Sequence, residues 1–458
     1  MTTITQGYAE FINDLKFEDL PSEVVTDIKM RVLDSLGIMI AANRLDTTKT
    51  VDTVVEGIGG VPQCTVVGTG AKLPMVNVPI INGTMAHSFD FDDTHTGTLI
   101  HASACIIPTA LAVTEGLKLS GKDLITMATA GFEVALRMGL AKPRGCHTRG
   151  FHSTSVFGVF GASAIAAKGL KLDKEKTAMA IGMAASFACG VMQCLKDGTD
   201  IKIIHAGWAG HGGIMSALLA QNGFTGPSEA IEGEIGFFNA YLSPVEYDIN
   251  ELLADFKKRW ETLEISFKLY PACHFTHGYI ECIKTLKKKY TIDPEKIKSV
   301  EVKVAQGMVP IVCEPKEDKK VPLTEYGERF SMYYAVASAI LEDKITINTL
   351  SLDKLTDPRY TKLAQKVDYT VYDFEGFPKL HPGWVIITMD NGDVYEERVE
   401  CCKGPFGVPI VFDDIEDKFR GNTDGVLSVE RQDEIVNLVK NLEKLSDIDK
   451  LMSLTVIK

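Results

Sequence analysis

Between Ala86 and His101 the sequence places three carboxylates, Asp90, Asp92 and Asp93, and three imidazoles, His87, His95 and His101, within sixteen residues of an otherwise apolar, Ala/Gly-rich region. Burying such groups is costly unless they are paired, so their density points to proton chemistry. Three further segments set cationic or imidazole side chains among apolar ones. They are Gly150-Phe151-His152-Ser153-Thr154, Lys202-Ile203-Ile204-His205, and Phe267-Lys268-Leu269-Tyr270-Pro271-Ala272-Cys273-His274-Phe275-Thr276-His277. Nine of the ten histidines fall between positions 87 and 277. Their convergence carries the argument, because a lone histidine is commonly a satisfied core residue. The competing reading of the first segment is a solvated loop whose aspartates cap a helix.

Other chemistries fit less well. Asp90, Asp92, Asp93, His95 and His101 are suitable ligands for zinc, magnesium or manganese, but no H-E-x-x-H or comparable spacing accompanies them, so no metal is expected. The Gly/Ala-rich stretches 156–168 and 207–213 raise the question of a phosphate loop; neither G-x-x-x-x-G-K-[ST] nor a strand-linked G-x-G-x-x-G is present. A serine hydrolase would need a G-x-S-x-G elbow, also absent, and Cys273 next to His274 is only a sequence neighbour. The ten cysteines include no C-x-x-C; Cys401 and Cys402 are adjacent. They read as buried free thiols in a reducing compartment.

The elements that must position these groups are mostly helical over the first 260 or so residues. Val24, Val25, Ile28, Val32, Leu36, Met39 and Ile40 recur at helical spacing. Ser120 with Asp123 resembles a helix start ahead of residues 124–138, and another helix opens at Asp173. Residues 156–168 are so rich in Gly and Ala that a helix there must pack at short range. After Pro271 the character changes. Residues 299–304 alternate as a half-buried strand, and residues 384–389 and 394–399 flank Asp390-Asn391-Gly392-Asp393, a hairpin signal. Helical patterns at 279–289 and 330–342 lie among these strands, and Ile435, Leu438, Val439, Leu442 and Leu445 are helical again. The expected fold is therefore mainly α: a large helical domain over 1–265, completed by 402–458, with a smaller α+β domain inserted over 266–401.

At 458 residues two domains are the natural expectation. A net charge of -13 that no basic patch or Lys/Arg run offsets argues against nucleic acid and anionic membrane as partners. No stretch of 18 uninterrupted apolar residues occurs, and residues 1–8 have neither a basic nor an apolar leader character, so a cytosolic location is expected.

Taken together, His87-Ser88-Phe89-Asp90-Phe91-Asp92-Asp93-Thr94, Gly150-Phe151-His152-Ser153-Thr154 with Phe157-Gly158-Val159-Phe160-Gly161-Ala162, and Lys268-Leu269-Tyr270-Pro271-Ala272-Cys273 through His277 resemble the MmgE/PrpD family over almost the whole chain. That family includes 2-methylcitrate dehydratase, cis-aconitate decarboxylase and iminodisuccinate epimerase. The resemblance implies a homodimeric enzyme without cofactor or metal, acting on a small di- or tricarboxylate. By motif it carries catalytic roles to Asp90, His101, His152 and Tyr334, and substrate binding to Thr94, Lys202, Lys268 and His277. His101 and His152 would be acid and base in an order the motif leaves open, Asp90 would orient an imidazole, and the lysines would clamp carboxylates. The chain departs from the decarboxylase pattern in a loop one residue longer between Thr94 and His101, in Ala102 where Pro is usual, and in Cys273 where the animal decarboxylase has His. Asp93-Thr94-His95 also lacks the N-D-T-W form of many methylcitrate dehydratases. The implied reaction is a decarboxylation or dehydration; the alternatives are an epimerase on the same scaffold and a non-catalytic carboxylate-binding homologue.

Overall fold

The computed structural model describes residues 2–349, 352–405, 408 and 410–457. The chain divides into two compact units: Met1–Ser88, Asp92–Ser266 and Ile415–Lys458 form the first, Phe89–Phe91 and Phe267–Asp414 the second. Residues 402–414 thus cluster with the second unit. Backbone bonds hold them there: Cys402 N–H donates to the His381 carbonyl at 2.9 Å and Phe267 N–H to the Gly404 carbonyl at 3.0 Å.

The first unit is helical. Its elements include α1 (Ser22–Ala42), α2 (Val78–His87), α3 (Ala102–Gly116), α4 (Gly121–Leu140), α5 (Ser153–Gly169), α6 (Lys174–Phe187) and α7 (Ile201–Gln221). The start signals act as expected. Ser120 and Asp123 form a reciprocal capping box at the head of α4, and the Asp173 carboxylate accepts from Lys176 N–H at 2.8 Å at the head of α6. α5 and α7 pack closely because their small residues permit it. A Cβ added at Gly161 would stand 2.5 Å from the Gly131 carbonyl oxygen on α4, and one at Gly207 would stand 2.4 Å from the Ile80 carbonyl oxygen on α2. Residues 207–213 therefore form the middle of a buried helix, and their glycines serve helix contact. The helix Val429–Lys440 packs on α1, so the C-terminal segment returns to this unit.

The second unit holds a four-stranded sheet in the order Val367–Val371, Ile297–Val304, Gly383–Met389, Val394–Val399. The first pair is parallel, with Val300 opposite Val367; the others are antiparallel, with Val300 opposite Ile387 and Trp384 opposite Arg398. Val300, Val302, Val385 and Ile387 face one side and are buried beneath α8 (His274–Lys289) and α9 (Met332–Leu341). This period-2 face is the unit's core. Among the described residues no helix is long and apolar enough to cross a membrane.

Candidate active site

In the first unit, α2 ends at His87, and the chain returns through Asp92 to His101 at the head of α3. Asp93 anchors this return. Its carboxylate accepts from Ser103 N–H at 3.0 Å and from the Arg31 guanidinium, while Arg31 also donates to Asp27 at 2.6 and 2.9 Å. Thr94 and His95 then pair as a short strand with Ser266 and Ile265. Asp93 and His95, both candidate ligands from sequence, are thus taken up by the framework; His95 Nδ1 bonds Thr98 Oγ1 at 2.9 Å.

Asp92 is the centre of the cluster. Its Oδ2 lies 2.7 Å from His87 Nδ1 and 3.3 Å from His101 Nδ1, and the side chain is 2% exposed. Burial opposes its charge, but His87 and His101 outweigh it and hold the carboxyl well below the usual range. An ionised carboxylate can only accept. Both imidazoles therefore carry hydrogen on Nδ1 toward Asp92, and their Nε2 atoms are the free valences. His87 Nε2 and Asp92 Oδ1 have no hydrogen-bond partner among the described residues. Such orphan polar atoms in a buried cluster mark a place built for something besides folding.

His152 joins from the head of α5. Its ring centroid is 5.3 Å from that of His87, and its Nδ1 is 3.1 Å from Nδ1 of His205 on α7. Gly190 makes this approach possible: its carbonyl accepts His152 N–H at 2.9 Å, its φ is +112°, and a Cβ there would stand 3.3 Å from His205 Cγ. Burial, followed by His87 and Lys202, pushes the His152 imidazole well below its usual range, and the same causes bring His205 to about 4. His87 is lowered too, chiefly by burial. These rings are neutral near pH 7, so one Nδ1 of the His152–His205 pair donates to the other. Thr94 Oγ1 lies 3.3 Å from His101 Nδ1, and Thr154 Oγ1 accepts His101 N–H at 3.0 Å.

Lys202 sits half-buried in the first turn of α7, one turn before His205. Its charge acts on His87, His147, His152 and His205. A cation is disfavoured at a helix N-terminus, where the dipole is already positive. Lysine and dipole together make a strong local field for an anion.

In the second unit Lys268 Nζ donates to Asp90 Oδ2 at 3.0 Å and to the Asp90 carbonyl at 2.6 Å. The carboxylate that contacts the imidazoles is therefore Asp92, whereas sequence reasoning gave that task to Asp90. The backbone explains the exchange: Asp90 has φ 53°, and this left-handed residue between buried Phe89 and Phe91 breaks the alternation that would set both aspartates alike. Tyr334 on α9 stacks on Tyr360 with centroids 5.3 Å apart, and burial and Glu328 push its hydroxyl pKa upward. His277 is buried on α8, where Nε2 bonds the Ala272 carbonyl at 3.1 Å.

Sequence reasoning thus selected Thr94, His101, His152 and Lys202, which the first unit brings into one cluster, and named Asp92, His87 and His205 without giving them a catalytic or substrate-binding role. The i, i+3 spacing of Lys202 and His205 on one helix was the available signal for the last. His87, Asp92 and His101 also have the spacing of metal ligands, with their ligand atoms within 4.8 Å of one another.

The MmgE/PrpD N-terminal domain matches residues 6–250 and the MmgE/PrpD C-terminal domain residues 270–444. The chain belongs to the MmgE/PrpD family. Relatives within it include a protein of Homo sapiens named cis-aconitate decarboxylase, 28% identical over 99% of this chain and 95% of that protein. Cis-aconitate decarboxylases of Aspergillus terreus (26%; 98% of this chain, 95% of that one) and Mus musculus (26%; 99% and 93%) are similar to it as well. Fold class and motif order agree with this MmgE/PrpD membership.

The neutral histidines of this family member make its stability pH-dependent. His95, lowered mainly by burial to about 4, stays unprotonated in the fold while its unfolded counterpart titrates near 6.5. The unfolded state then binds more protons between those values, so stability falls as pH drops through that window and levels off below it. His95 alone contributes about 3 kcal/mol of this loss, and His205 acts in the same direction. Thermal scans from pH 7.5 to 4.5 should show a midpoint falling steeply below pH 6.5; a flat profile would contradict the neutral-histidine assignment.

Proposed function

We propose that this protein is a lyase that acts on a small di- or tricarboxylate, with cis-aconitate the first candidate, by moving a proton at a carbon beside a carboxylate. The observation that carries this reading is the buried Asp92 carboxylate set between His87 and His101, with neutral His152 and His205 in ring contact and the Lys202 charge acting on them. The near end-to-end alignment with proteins named cis-aconitate decarboxylase supports the choice of substrate.

In a decarboxylation the bond to the departing carboxylate breaks and its electron pair stays on the carbon chain. Carbon dioxide leaves, and a proton is delivered to the chain. The transient negative charge spreads onto a neighbouring carboxylate, where a fixed cation lowers the barrier more than it helps the ground state. Lys202 at the N-terminus of α7 is that cation. Asp92 orients His101 so that Nε2 is the nitrogen exchanging a proton with substrate, and Thr94 braces the same ring. His152, sharing one hydrogen with His205, is the second proton carrier. From the second unit, the family resemblance assigns Lys268 to a substrate carboxylate and Tyr334 to proton donation.

Proton NMR of the purified protein in D2O, run against cis-aconitate, 2-methylcitrate and iminodisuccinate, tests the reading. Disappearance of the cis-aconitate olefin signal with a deuterated product of one carbon fewer is the expected result. Deuterium exchange in iminodisuccinate with nothing leaving would replace the lyase by an epimerase. Silence toward all three would refute this substrate assignment.

A further inference from the structure

The second unit gathers a separate set of soft ligands. His274, His277 and Cys402 are buried, and their ligand atoms lie within 4.8 Å of one another. The two histidines are one turn apart at the start of α8 and share a face, with ring centroids 4.7 Å apart. His381 packs on His274 at 4.4 Å between centroids. It is 4% exposed, and its Nδ1 has no hydrogen-bond partner among the described residues. A buried imidazole nitrogen without a partner calls for an absent one.

The backbone presents Cys402 to these rings. Its N–H is tied to the His381 carbonyl, and Gly404 two residues on is tied to Phe267. Gly404 has φ +107°, and a Cβ there would stand 2.2 Å from the Phe267 carbonyl oxygen. No other residue allows that approach. The His277 tautomer is fixed as well: a carbonyl accepts only, so Nε2 carries the hydrogen given to Ala272 and Nδ1 carries the lone pair. A histidine whose distal N–H is held by a backbone carbonyl is the usual outer-shell arrangement of a metal ligand.

We propose that His274, His277 and Cys402 bind a divalent ion of the zinc class. Thiolate and imidazole donors in a tetrahedral set suit zinc and its spectroscopic substitute cobalt(II). On binding, the Cys402 S–H bond breaks, its proton passes to solvent and the sulfur electron pair goes to the metal, with no change of oxidation state. The ion would tie the start of α8 to the segment that carries Cys402. His277 then has a task other than the carboxylate binding expected from the sequence.

The test is cobalt(II) titration of the full-length protein after chelator treatment. The His87, Asp92 and His101 group contains no sulfur, so a thiolate-to-cobalt charge-transfer band reports on the Cys402 group alone. One equivalent of cobalt should give that band together with intense tetrahedral visible bands, and one equivalent of zinc should abolish both. Cys402→Ser should remove the charge-transfer band, Cys401→Ser should retain it, and His274→Gln should weaken binding at least ~10-fold. A wild-type protein without the band overturns the proposal whatever the variants do. So does a band that survives Cys402→Ser or vanishes in Cys401→Ser.

Discussion

Asp92→Asn is expected to lower kcat by ~10³-fold with little change in KM, since Asp92 acts through an imidazole. The carboxylate accepts from both His87 Nδ1 and His101 Nδ1. An amide of the same shape has one accepting oxygen and one donating nitrogen. It can satisfy one ring, but the other must change tautomer and then presents Nε2–H where a lone pair is needed. The substitution leaves volume unchanged in a site where Asp92 is 2% exposed, so folding should survive. Steady-state kinetics on the substrate turned over in the NMR assay, with circular dichroism to confirm the fold, decide the matter. A variant with wild-type kcat would remove Asp92 from the mechanism and return it to a purely structural role. The pH profile adds a second readout: loss of the orienting carboxylate should displace the limb that reports on the imidazole, which a merely loosened fold would not do.

Lys268→Met carries the second large effect, and it has two parts. Lys268 and Asp90 are buried, with side chains 5% and 11% exposed, and 3.0 Å apart. Removing the ammonium leaves the Asp90 carboxylate in a dry setting without this partner, a loss of ~3–5 kcal/mol. If Lys268 also meets a substrate carboxylate, kcat/KM falls ~10²-fold or more beyond what unfolding explains. Adding Asp90→Asn separates the parts, because a neutral pair no longer buries an uncompensated charge. The double variant should regain most of the thermal midpoint in a melting scan and none of the activity. Recovery of both would show that Lys268 serves only to hold Asp90.

The residues that the sequence read well are those whose role depends on near neighbours. Ser120 and Asp173 start helices because their side-chain oxygens bond N–H groups three residues away. The strand pair around Asp390-Asn391-Gly392-Asp393 follows from a local turn and period-2 alternation. The Gly/Ala run of α5 announced a closely packed helix, since small residues on a helix have few other uses. Less legible was the Gly-rich stretch 207–213. Its glycines suit a loop by composition, and only the backbones of α2 and α5 pressing on them make a helix the better solution.

The candidate site divides along the same line. By itself the sequence determined the set of chemical groups, the order of the motifs and the family, and it singled out His101, His152, Thr94 and Lys202, which the first unit brings together. Tertiary structure decided the pairing: Asp92 with the imidazoles, Asp90 with Lys268, His205 with His152, and His277 with His274 and Cys402. Pairing energies and protonation states change over a few ångströms and with burial. Two aspartates separated by a single residue can therefore take different partners when the backbone turns at one of them, as it does at the left-handed Asp90.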